Sequence, residues 1–191
     1  MTDFPTSAIT LRNARSCGLR KDQVYRMLET GELERIGRGV FIRPGMIDPA
    51  ITALVAASLL QPRATLCLTS ALVHHGLSDA VPDVCDIALP RRTRFPAGFE
   101  HVAWHRFDIA TFEVGRIRLE SNLEIPLFAY SAERTLVDHF RLTHREGTDV
   151  ANTALKRWLR APGNHAASLL AVAAHFPRVL PRLRRTLEVL L

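Results

Sequence analysis

Side chains suited to nucleic acid are concentrated between residues 20 and 38. Arg20, Lys21, Asp22, Gln23, Tyr25 and Arg26 stand in one stretch, and Arg35 and Arg38 follow inside "GELERIGRGVF", residues 31–41. Guanidinium and ammonium groups neutralise phosphate, and the amide, carboxylate, hydroxyl and guanidinium groups can hydrogen-bond base edges. Arg38 is set between Gly37 and Gly39, with short apolar-rich runs on both sides. Gly-Arg-Gly tolerates positive φ, so the pattern predicts a tight hairpin carrying an arginine at its tip. A second basic set, Arg182, Arg184 and Arg185, interrupts a leucine stripe near the C-terminus. A solvated hairpin arginine and a solvated basic helix face are the plain alternatives.

Other chemistry is less well supported by type and spacing. His101 and His105 have a helical zinc spacing, but "HVAWHRF" alternates like a strand, where the two side chains would lie about 13 Å apart. His74 and His75 are adjacent and read as packing or capping residues. "PDVCDIALPRR" has the Pro-Asp opening of a nuclease core, but such a core needs an acidic residue and a lysine on the next strand. No lysine lies between Lys21 and Lys156. Arg134 and Asp138, four apart on a predicted helix, form a surface or half-buried ion pair on the simplest account. The paired aspartates of a nucleotidyltransferase and a glycine-rich phosphate loop are both absent from the sequence. No catalytic residue, no metal site and no cofactor is expected.

The elements that must position the basic residues follow from periodicity. Thr10 is a good cap for a short helix, Leu11 to Cys17, and Gly18 a good stop. A second helix, about Lys21 to Thr30, turns Val24, Met27 and Leu28 inward, leaving Lys21, Asp22, Tyr25 and Arg26 outside with Gln23 at the edge. "LERI" and "VFI" then read as two strands. Helix, turn, helix and hairpin within about 35 residues is the order of a winged helix-turn-helix, whose second helix enters the major groove. Only about nine residues precede the first helix, so a supporting helix in front of it is missing or very short.

Pro44, Gly45 and Pro49 mark a boundary. Beyond it come a helix over about 50–60, a short helix over 70–75, and strands near 84–89, 101–107 and 114–119. Ser131 caps a helix carrying Leu136, Val137 and Phe140, and two further helices are predicted around Trp158 and Leu187. The expectation is an α+β chain: a winged helix-turn-helix at 1–45, then a mixed α/β domain at 46–191 that ends in a helical bundle and has enough apolar sequence for its own core.

Composition fits a folded chain that binds a polyanion. The 191 residues are 47% hydrophobic with net charge +6. Residues 1–47 hold 8 Lys/Arg against 5 Asp/Glu, residues 48–155 hold 10 against 13, and residues 156–191 hold 7 against 1. Positive charge clustered at both ends attracts nucleic acid. No signal-peptide pattern or apolar run of about 18 residues occurs, so a cytoplasmic location is expected. Three cysteines without C-x-x-C spacing read as small buried residues.

"CGLRKDQVYRMLETGELERIGRGVFIRPG" resembles the N-terminal segment of the AbiEi-like antitoxins and transcriptional regulators of type IV toxin–antitoxin systems, with Phe41 in place of the usual tyrosine. The similarity continues in "LTSALVHHGL", "DIALPRRTR", "VAWHRF" and "IPLFAYSAERTLVDHF", in the family's order and over nearly the whole chain. The resemblance implies a repressor of its own operon acting on inverted repeats of double-stranded DNA. It also implies opposition to a cognate nucleotidyltransferase toxin, through the C-terminal part and without the need for a stable complex. A nuclease-like enzyme delivered to DNA by the same N-terminal module is the alternative.

Overall fold

The computed structural model describes residues 8–191. The chain opens with β1 (Ala8–Thr10), α1 (Leu11–Ser16), α2 (Lys21–Glu29), β2 (Glu34–Gly37) and β3 (Val40–Ile42). Thr10 caps α1, its hydroxyl accepting the Asn13 amide at 3.2 Å. Gly18, at φ 74°, reverses the chain into α2, a conformation that a side chain would strain. Backbone N–H of Arg20 donates to Oε1 of Gln23 at 2.8 Å, holding the first turn of α2. Strands β1 and β2 both pair antiparallel with β3, giving the order β1-β3-β2. The two-stranded hairpin expected from the sequence is thus a three-stranded sheet, because "AIT" supplies an outer strand. Ile9, Ala14, Leu19, Val24, Leu33 and Phe41 bury themselves between this sheet and the two helices.

Helix α3 (Pro49–Leu60) starts at Asp48, whose Oδ1 accepts the Ala50 amide at 2.9 Å. It packs against β1 and β2 on one side and against the second sheet on the other. A helix that follows in sequence thus backs the first sheet. Ala8 and Ile42 share one apolar cluster with Leu54, Val55 and Ile87, so the core runs across the boundary at residue 45.

The second sheet contains β4 (Thr65–Leu66), β5 (Cys85–Pro90), β6 (Val102–Phe107), β7 (Arg116–Leu119) and β8 (Leu127–Tyr130) in the order β6-β5-β4-β8-β7. Pairs β5/β6 and β4/β8 are parallel, and β4/β5 and β7/β8 antiparallel. Helix α4 (Leu68–His74) follows β4. The chain then closes with α5 (Ala132–Arg141), α6 (Thr143–Glu146), α7 (Thr148–Arg160), α8 (Ala166–Ala173) and α9 (Leu180–Leu190). Leu136, Val137 and Phe140 of α5 meet Leu155 and Trp158 of α7, Leu169 of α8, and Leu183 and Leu187 of α9 in a second large core. Leu72 of α4 joins the same cluster and ties the bundle to the sheet. The architecture is mixed α+β.

Two details depart from expectation. Only Cys67 is fully buried, whereas Cys17 and Cys85 are partly exposed. The Arg134–Asp138 pair is completely buried, at 0% and 1% side-chain exposure, rather than at or near the surface. Among the described residues, no helix is long and apolar enough to cross a membrane.

Candidate nucleic-acid interface

The face of α2 is set by what it buries. Val24 is fully enclosed, and Met27 and Leu28 pack partly buried against the same cluster. Lys21, Asp22, Tyr25 and Arg26 are left exposed, and Gln23 is half-buried. Several of these side chains are already engaged with one another. Arg20 pairs with Asp22 at 3.3 Å, and the Lys21 ammonium lies 5.8 Å from the centroid of the Tyr25 ring. Gln23 spends its Oε1 on the start of the helix, leaving only its amide NH₂ to meet a base edge. Gln23→Ala should therefore lower stability by about 0.5–1 kcal/mol in urea unfolding, apart from any effect on DNA. Stability equal to that of the parent protein would show that the cap contributes nothing.

Arg12 and Arg15 add to this surface. Both are exposed on α1, and with Leu11 and Lys21 they line one shallow pocket between the two helices. Their spacing of three in "LRNARS" places them on one face of a helix, a pattern legible in the sequence but overshadowed by the denser basic run that follows.

The hairpin between β2 and β3 carries Arg38 exposed at its turn, with Gly39 at φ 74°. The turn is braced from outside. A Cβ placed at Gly37 would lie 2.7 Å from the Phe99 ring, and one at Gly98 would lie 2.9 Å from Cβ of Arg38. Residues 98–99 belong to the loop joining β5 to β6. Trp104 holds that loop, stacking on Phe95 at 5.7 Å and meeting Phe99 edge-on at 5.5 Å between centroids. Arg91, Arg92 and Arg94 are exposed at the start of the same loop. Arg35, opposite Phe41 in the ladder, lays its guanidinium 5.9 Å from that ring's centroid.

The residues of the C-terminal basic set have different neighbours. Arg182, Arg184 and Arg185 are all exposed on α9, whose Leu183 and Leu187 face the core. Arg182 reaches α6, donating from Nη1 to the Thr143 hydroxyl at 2.6 Å. Arg185 lines a groove against α7 together with Lys156.

The reactive residue types elsewhere are tied into structural bonds. His101 directly precedes β6, and His105, within it, donates from Nε2 to Oδ1 of Asp86 at 2.8 Å. Ser70 accepts the Asp86 amide at 2.8 Å, and its own amide donates to Oδ2 of Asp86 at 3.3 Å. Serine, aspartate and histidine thus converge, but the carboxylate stands in the middle, and a nucleophile needs its base in direct contact. His75 ends α4 and bonds the Tyr130 carbonyl at 2.7 Å, while burial, followed by the neighbouring His75, lowers the pKa of His74. Burial pushes the Cys67 thiol well up and, with Asp86 adding to it, raises Cys85 to about 12, so both stay protonated near neutrality. No group of three or more His, Cys, Asp or Glu able to hold a metal occurs among the described residues.

No family model and no curated protein matches the chain. Among solved structures, it is similar to the crystal structure of the RV2827C protein from Mycobacterium tuberculosis, at 20% identity and a TM-score of 0.47. The match covers 88% of this chain and 76% of that one. Similarity at this level carries no functional argument.

Proposed function

We propose that the protein is a DNA-binding transcriptional repressor and an antitoxin of the AbiEi-like, type IV class, without catalytic activity of its own. On this reading residues 8–45 form a winged helix-turn-helix. The observation that carries it is the set α1, Gly18, α2 and the β2–β3 hairpin, closed by β1, with a polar basic face on α2 and Arg38 exposed at the hairpin turn. That combination suits a helix in the major groove and an arginine on phosphate or in the minor groove. The antitoxin part rests on the ordered motifs of the sequence. Operator binding is tested by a mobility shift with the protein's own promoter, where binding no tighter than to random DNA would overturn the reading. Opposition to a cognate nucleotidyltransferase toxin is tested by co-expression, in which growth must be rescued.

Arg38→Ala is expected to weaken binding to all duplexes by a similar factor and to reduce the slope of log affinity against log salt by about one. An unchanged slope would make Arg38 a solvated residue. Arg26→Ala should behave differently, costing roughly 1–3 kcal/mol on the operator and much less on random DNA if Arg26 reads a base.

The competing enzyme reading draws on Asp86, an acidic residue on a central strand of a mixed sheet. Its carboxylate is occupied by His105 and the Ser70 amide, and no lysine stands near it in sequence to activate water. Metal-dependent cleavage of plasmid DNA by the purified protein would restore that reading.

A further inference from the structure

We propose that the cavity between the end of α5 and the start of α9 binds a small molecule through a phosphate group. The cavity has a volume of about 680 Å³, within the range of small-molecule sites. Arg141, Arg178 and Arg182 line it, with Asp108 the one carboxylate among its lining residues.

The charge behind this cavity is unbalanced. Arg134 donates from Nε to Oδ2 of Asp138 at 2.9 Å, and Arg141 donates from Nη2 to Oδ1 of the same residue at 2.8 Å. Two guanidiniums therefore share one buried carboxylate. The other partners of Arg134 among the described residues are neutral groups. Nη1 of Arg134 donates to the carbonyls of Thr111 and Val114 at 2.7 and 2.6 Å, and its guanidinium lies 4.3 and 4.5 Å from the ring centroids of Tyr130 and Phe176. Nη2 of Arg134 and Nε of Arg141 are buried without an acceptor among the described residues. A buried charge without a counter-ion is costly, and an anion beside Arg141 would offset that cost.

The outer wall points the same way. Arg182 is held by the hydroxyls of Thr143 and Thr148, which fix its position without neutralising it. Arg178 is exposed, with no hydrogen bond or ion pair to another described residue. Asp108 accepts the Ala110 amide at 2.9 Å and so is partly engaged by the chain. Glu146, the acidic residue of α6, lies 4.0 Å from Arg145. Several guanidiniums converging on one space match the oxygens of a phosphate, which they bind in paired hydrogen bonds. The apolar rings of Phe140 and Phe176 complete a wall against which the rest of such a ligand can lie.

The test is calorimetric titration of the full-length protein with inorganic phosphate, pyrophosphate and nucleoside mono- and triphosphates at constant ionic strength. Saturable one-site binding is expected. The double variant Arg178→Ala/Arg182→Ala should weaken it by about tenfold or more, and Arg118→Ala/Arg160→Ala, which removes equal exposed charge away from the cavity, should leave it unchanged. Equal affinity for phosphate and nucleotides would assign the site to the phosphate alone, and tighter binding of nucleotides would assign it to a nucleotide. Arg178→Gln alone, a change at an exposed position, provides the same comparison should the double variant unfold. No saturable binding tighter than about 1 mM, or equal loss in the control variant, would overturn the proposal.

Discussion

Asp138→Ala is expected to destabilise the protein by about 3–5 kcal/mol, the largest effect of any single substitution considered. The carboxylate is 1% exposed and is the shared partner of Arg134, 0% exposed, and Arg141, 28% exposed. Its removal leaves two guanidiniums with no countercharge, in a place where water does not reach the inner one. Carbonyls and aromatic rings around Arg134 supply dipoles and ring faces, each weaker than a carboxylate. The loss should appear in urea unfolding as a lower midpoint with an unchanged slope. Arg134→Met/Asp138→Ala, which removes the inner pair together, should lose less than the single change, because it leaves no orphaned inner charge. A loss below about 1 kcal/mol in Asp138→Ala would mean that the site tolerates charge through water or relaxation, contrary to the burial described here.

Combined replacement of Lys21, Arg26 and Arg38 by alanine should reduce operator affinity by roughly a thousandfold while unfolding at nearly the parent midpoint. Each contact to phosphate or base contributes on the order of 1–2 kcal/mol, and Lys21 and Arg26, five positions apart on α2, and Arg38, on the hairpin, share no partner among the described residues, so their losses add. All three side chains are exposed, so the fold should be affected by less than about 0.5 kcal/mol. In a growth assay with the cognate toxin, the triple variant should still protect while failing to repress the promoter. Loss of both functions together would show that DNA reading and neutralisation use the same surface. A fragment of residues 46–191 is a poorer instrument, because Ala8 and Ile42 cover apolar residues of α3 and the second sheet. Cutting at residue 45 exposes that shared core.

Local pattern made much of the helical framework legible. Thr10 and Ser131 cap the helices they were expected to cap, and α3, α7 and α9 lie close to the stretches their apolar spacing marked out. The strands not legible in the sequence are β1, β4 and β8, with three, two and four residues. Runs so short show no period, and their identity comes from partners distant in sequence: Ala8 opposite Ile42, and Leu66 beside Ala129. Helix α8 leaves no periodic mark in the sequence because "AASLLAVA" is apolar nearly all round and gives little contrast between faces. At the site, residue types were readable while their engagements were not. That Gln23 is tied to the Arg20 amide depends on a rotamer, and that Arg182 and Arg185 face different neighbours depends on how α9 is set against α6 and α7. The burial of Arg134 follows from tertiary packing around Thr111, Val114 and Phe176, none of which is near it in sequence.

The aromatic brace on the β2–β3 turn limits how this protein can be recombined. A DNA-reading module joined to its neighbour by a linker can be moved to a new partner by cutting and rejoining the chain. Here the turn that carries Arg38 is seated on Gly98 and Phe99, from a loop more than fifty positions further along, and that loop is stacked in turn on Trp104. A chimera that transplanted residues 8–45 alone would leave the Phe99 ring without Gly37 on the donor and the hairpin without its backing on the recipient. On the proposed function, exchange of binding specificity is therefore better made by changing the exposed side chains of α2 in place than by moving residues 8–45.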